Sequence, residues 1–133
     1  MTPTLRLAGL AALALAFAGC GSHNTGKIVG RWRAESADLP IGPKGPHELV
    51  WEFGADGSFT VTWVNPATKA SETKARGRYT LGIGDNVVMS DLNPPLPGNV
   101  TRSAEKIVID GDTMTVGGRG KDTTYRFSRL PQQ

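Results

Sequence analysis

The sequence predicts an all-β fold: eight short strands in a closed antiparallel up-and-down barrel, with a two-sheet sandwich as the alternative. Three observations predict it. From Ile28 onward apolar residues alternate with polar ones at a period of two. No amphipathic run at helical spacing is long enough to argue a stable helix. The alternating segments are divided by glycine- and asparagine-containing turns. Closure into a barrel is the first choice because it removes the unpaired edges that invite aggregation.

The first segment, residues 1–19, precedes that domain. Arg6 supplies a positive charge, and Leu7 to Phe17 is an unbroken apolar run ending in small residues, the pattern of a secretory signal peptide. The run is too short to span a bilayer, which takes roughly 20 apolar residues. Residues 20–27 follow, opening with the only cysteine of the chain, Cys20. "GSHNTGK", Gly21 to Lys27, is small and polar and is expected to be a flexible tether. Residues 28–133 are long enough for one domain and too short for two.

Within that domain strands are expected near Ile28–Glu35, Glu48–Phe53, Ser58–Val64, Ala75–Leu81, Asn86–Leu92, Lys106–Ile109, Thr113–Val116 and Thr123–Leu130. The second puts Leu49, Trp51 and Phe53 on one face with Glu48 and Glu52 opposite; the third puts Phe59, Val61 and Trp63 against Thr60 and Thr62. Tyr79 with Leu81, Val87 with Met89, Ile107 with Ile109, Met114 with Val116, and Tyr125 with Phe127 extend the apolar face. Asp56-Gly57, Asp85-Asn86 and Asp110-Gly111 suit hairpin turns, so consecutive strands pair. "DLPIGPKGPH" and "NPPLPGNVTRSA" are longer, proline-rich connections.

Phe17-Ala18-Gly19-Cys20, with small residues before the cysteine, resembles the lipobox of bacterial lipoproteins. Phe17 stands where that pattern usually has leucine. The resemblance implies that the signal is cut before Cys20 and that its thiol is acylated with palmitate-type chains, which hold firmly when two or more are present. An ordinary cleavable signal with Cys20 as a free thiol is the competing reading. Gly21 in place of an aspartate implies delivery to the outer membrane if the host is diderm, and a lipid-anchored place in the bacterial cell envelope in any case.

"VGRWRAES", "WEFGADGSFTVTW", "GRYTLGIGDNVVM", "GDTMTV" and "YRFSRL" resemble small bacterial lipocalin-like domains over Ile28 to Leu130. Gly30-Arg31-Trp32 looks like the lipocalin glycine-x-tryptophan. In that family the tryptophan plugs the barrel floor beneath a basic residue of the last strand, here Arg126 or Arg129. Gly30 and Trp32 are then structural. The family implies one open end and an apolar ligand inside. The chain is shorter than the larger ligand-carrying lipocalins, lacks a clear helix after the last strand and carries no second lipocalin motif.

An eight-stranded barrel is either filled by side chains or admits one small ligand. Trp51, Trp63 and Tyr79 are the candidates for lining an apolar cup at the open mouth. The proline-rich loop offers Leu92 and Leu96 as an extended ridge for a protein partner.

Other classes find little footing. The chain carries 15 basic and 12 acidic residues, scattered rather than gathered into a stripe, which argues against nucleic acid. Its two histidines, His23 and His47, assemble no triad with a nucleophile, so no catalytic residue and no enzyme activity is assigned. "DGD" at Asp110–Asp112 reads as a turn, since a calcium loop needs more oxygen ligands at set spacing. No metal or cofactor is expected. The expected partners are the membrane through Cys20, a small apolar molecule or lipid, and, in the alternative, an envelope protein docked on a side-chain-filled barrel.

Overall fold

The computed structural model describes residues 21–35, 47–96, 98–117 and 124–131. The predicted signal segment, Cys20 and parts of the predicted connections fall outside these residues. Eight strands run in chain order: β1 (Gly30–Ala34), β2 (Glu48–Phe53), β3 (Ser58–Val64), β4 (Ser71–Leu81), β5 (Asn86–Asn93), β6 (Ser103–Asp110), β7 (Thr113–Gly117) and β8 (Thr124–Arg129). Each pairs antiparallel with the next, and β8 returns to β1 through Trp32↔Arg129 and Ala34↔Phe127. The sheet is a closed barrel. The sandwich alternative is set aside.

The period-two alternation is what fills the interior. Leu49, Trp51 and Phe53 are buried while Glu52 is exposed. Phe59 and Val61, Val87 and Met89, Ile107, Met114, Val116 and Phe127 join the same core. Packing of these rings and branched chains, at about 1.5–3 kcal/mol for each fully buried large apolar side chain, is the main force holding the barrel closed.

Topology then sorts the residues by height. The short turns after β2, β4 and β6 lie at one end of the barrel with the start of β1 and the end of β8. The longer connections after β1, β3, β5 and β7 lie at the other. The first end is termed the floor, the second the mouth.

Residues Gly21 to Lys27 are not the free tether expected of them. The Gly84 amide donates to the Gly21 carbonyl at 2.7 Å and the His23 amide to the Gly84 carbonyl at 2.9 Å. Asn24 is 1 % exposed, and its side-chain amide donates to the Ile107 carbonyl at 2.9 Å. Its own carbonyl accepts from the Lys27 and Ile28 amides, so the segment turns back into the floor and delivers Ile28 fully buried. His23 Nδ1 sits 3.0 Å from Asp85 Oδ1. Small polar residues read as a linker because their docking runs through backbone bonds and one amide, which composition does not register.

Two strands begin earlier than expected. β4 starts at Ser71 and β6 at Ser103, where the added residues, polar but for Ala104, show no alternation of large apolar side chains. β4 also changes register against β3 between Val61 and Thr62, which leaves Lys74 as an extra residue. A second irregularity lies between Arg76 and Arg78, opposite Asp91 and Leu92 on β5.

Candidate functional site

The floor is sealed by one residue from each end of the domain. Trp32 is fully buried, and its indole Nε1–H donates to the Ile28 carbonyl at 2.9 Å. The Arg129 guanidinium lies 4.2 Å above the Trp32 ring centroid. Its Nη1 donates to the Val29 carbonyl at 2.9 Å and its Nη2 to the Lys27 carbonyl at 2.7 Å, while Nε stands 3.3 Å from Asp112 Oδ1. A planar fork suits this because it stacks on the ring while its edge reaches two carbonyls. Gly30 makes the approach possible: its φ is 141°, and a Cβ there would lie 2.7 Å from Arg129 Nη1. Of the two predicted floor arginines, Arg129 fills the role. Arg126 is exposed on the outer face, 3.9 Å from Glu35 Oε2.

Above the floor stands an aromatic cluster. Trp51 packs against Phe127 at 4.7 Å and Phe59 at 5.5 Å between centroids, and Phe53 against Phe59 and Tyr79 at 5.0 and 5.1 Å. Tyr79 belongs here and not at the mouth: its hydroxyl donates to the Gly54 carbonyl, in the floor-side turn, at 2.7 Å. Burial, reinforced by the Asp56 carboxylate, raises the Tyr79 phenol above its ordinary 10.0. Asp56 is itself held below its ordinary value by the hydroxyl and amide of Ser58. The predicted trio of Trp51, Trp63 and Tyr79 therefore spans the height of the barrel instead of ringing one opening.

The mouth end is more polar. Trp63 is half-buried there, its ring 6.2 Å from that of His47 and covered by Lys74 Nζ at 4.2 Å. Ser103 and Glu105 share the face of buried Ile107, and the Ser103 hydroxyl donates to Glu105 Oε1 at 2.8 Å. Leu96 packs partly buried against the core. Sequence reasoning did not single out Ser103 and Glu105, because the predicted strand began at Lys106.

Among the described residues two buried polar atoms, Trp51 Nε1 and His47 Nδ1, make no hydrogen bond. A buried N–H left unbonded is costly, at about 1–3 kcal/mol. Such groups are rare enough that each calls for an explanation. Trp51 is 8 % exposed and lies against the rings of Phe53, Phe59 and Phe127. Together the walls offer aromatic surface, one free indole donor and one imidazole nitrogen.

The predicted protein-contact ridge does not stand out from the barrel. Leu92 is 2 % exposed and part of the core, because Asp91 adopts φ 55° and the bulge turns the next side chain inward. The Leu96 and Val100 amides exchange hydrogen bonds with each other's carbonyls at 2.9 and 3.1 Å, and Leu92 N–H donates to the Thr101 carbonyl. The proline-rich loop is folded upon itself.

A separate recess of about 380 Å³ lies at the floor end, lined by Val29, Gly30, Arg31, Glu52, Phe53, Gly54, Leu130 and Pro131. Arg31 and Glu52 face each other at 3.9 Å across it. Among the described residues no three His, Cys, Asp or Glu side chains gather as a metal site. No protein-family model matches the chain, and no curated protein is significantly similar to it.

Proposed function

We propose that this chain is a lipid-anchored, lipocalin-like protein of the bacterial cell envelope that takes one small apolar molecule carrying a hydrogen-bond acceptor into the mouth side of its barrel. The observation that carries the reading is Trp51 Nε1, a donor among aromatic rings that makes no hydrogen bond among the described residues. A fatty acid or similar amphiphile meets both requirements: its chain covers aromatic surface and its oxygen accepts from the indole. The sealed floor supports entry from the mouth alone. Half-buried Trp63, Lys74 and the Ser103–Glu105 pair then meet the ligand's polar end or the water around it.

A second reading, a filled barrel that works as a protein-binding envelope module, draws on the same cluster: rings as close as 4.7 Å leave little room between Trp51 and Phe127. Titration with an environment-sensitive apolar dye, competed by fatty acids, separates the two. The binder reading predicts saturable one-site binding that Trp51→Phe weakens about 2- to 13-fold, the worth of one ordinary hydrogen bond of about 0.5–1.5 kcal/mol. Equal affinity of wild type and Trp51→Phe removes the indole from the site. A folded chain that binds neither dye nor fatty acid supports the filled barrel.

A further inference from the structure

We propose that the floor of the barrel is the face this chain lays on a lipid bilayer, with Ile83 as the side chain that enters the headgroup region. The proposal rests on the reading of Cys20 as the acylated residue. If Gly21 to Lys27 were a tether, anchoring would leave the barrel free to tumble. Instead Gly21 is held to the barrel, its carbonyl accepting from the Gly84 amide at 2.7 Å. Cys20 is joined directly to Gly21, so acyl chains carried on it would be tied within one residue of the segment bonded to the turn between β4 and β5.

That turn carries the one strongly exposed large apolar side chain among the described residues. Ile83 is 82 % exposed, against 37 % for Val100 at the mouth and 43 % for Val108 on the barrel wall. An isolated exposed isoleucine needs no explanation by itself. Its position gives it one: it projects from the same turn to which Gly21 and His23 are hydrogen-bonded. The turn is closed by Gly82 N–H donating to the Asn86 carbonyl at 2.7 Å, and the neighbouring segment holds it through His23, 3.0 Å from Asp85.

Part of the charge at this end is matched: Arg31 with Glu52 and Arg129 with Asp112 are opposite-charge pairs within the floor. A functional consequence follows. With the floor on the membrane, the mouth opens away from it, and the ligand enters from the aqueous side and not from the anchoring leaflet.

The chain has no cysteine but Cys20, so Ile83→Cys and Val100→Cys in the acylated protein each offer one free thiol. Each is spin-labelled and the protein is reconstituted in vesicles of phosphatidylethanolamine and phosphatidylglycerol. Collisions of the label with oxygen, which partitions into lipid, are compared with those of a water-soluble nickel chelate. The expected result is nickel access several-fold lower at position 83 than at position 100, with oxygen access raised at 83 alone. Vesicle-bound protein with equal nickel access at both positions overturns the docking and leaves the anchor standing. Acylation-dependent flotation is measured in the same samples, and protein that fails to float overturns the anchor reading and the docking with it.

Discussion

Replacing Arg129 tests whether the two ends of the domain are locked through one guanidinium. Arg129→Ala removes the partly buried bond to the Val29 carbonyl, the more exposed bond to Lys27 and the stack on Trp32. Charged hydrogen bonds contribute about 1.5–3 kcal/mol when shielded and less when wet, and a guanidinium over indole adds about 0.5–2 kcal/mol. The Asp112 contact adds little, because that carboxylate is largely in water. A loss of about 3 kcal/mol follows when roughly 1.5 is assigned to the shielded bond, 0.5 to the wet one and 1 to the stack. For a domain of this size that lowers Tm by roughly 10–15 °C. Arg129→Lys keeps a cation over the ring but not the fork, so it recovers about half the loss. Gly30→Ala drives a Cβ into Nη1, so its cost and that of Arg129→Ala are expected to be non-additive. Urea unfolding followed by tryptophan emission measures wild type, the three single variants and the Gly30→Ala/Arg129→Ala double variant. Arg129→Ala within about 0.5 kcal/mol of wild type, or strict additivity with Gly30→Ala, would refute the reasoning.

Three further outcomes are expected. Asn24→Ala leaves the Ile107 carbonyl unpaired beneath the docked segment and costs about 1–3 kcal/mol in the same unfolding assay, while amide exchange at His23 and Lys27 rises to that of free chain. Tyr79 has a folded-state pKa above its ordinary 10.0, so its stabilisation is full below that pH and is lost as pH rises through the folded value. Tyr79→Phe should therefore show a flatter decline of stability across the alkaline range, which circular dichroism melts resolve; parallel declines would contradict it. Cys20→Ala should move the protein from the membrane to the soluble fraction, and retention in membranes would remove the acyl anchor.

Much of the barrel was legible because its forces leave a period in the sequence. Trp51, Phe53, Phe59 and Phe127 announce their face through alternation, and Asp56-Gly57 and Asp110-Gly111 announce the turns. The choice between Arg126 and Arg129 was available in the same signal: Arg129 shares the face of Tyr125 and Phe127, whereas Arg126 lies on the other. The height of Tyr79 was also available, since an up-and-down barrel puts the turn after β4 at the floor. Leu92 was not legible, because the bulge at Asp91 breaks the parity; Gly77, where a Cβ would meet the Ser90 carbonyl at 2.4 Å, is the trace it leaves. Ser103 and Glu105 escaped because inward polar residues interrupt the apolar pattern that marks a strand. That Trp51 Nε1 makes no hydrogen bond among the described residues is visible only once its neighbours are in place.

The claim at the centre is that the Trp51 indole awaits an acceptor. The three tryptophans give three indole N–H signals in an isotope-edited NMR spectrum, and Trp32 serves as the internal reference because its donor is already bound to Ile28. Titration of the folded chain with a saturated fatty acid is predicted to move the Trp51 signal downfield, saturating at one equivalent, while the Trp32 signal stays in place. A Trp51 signal that does not move, in a chain whose spectrum shows it folded, would contradict the account.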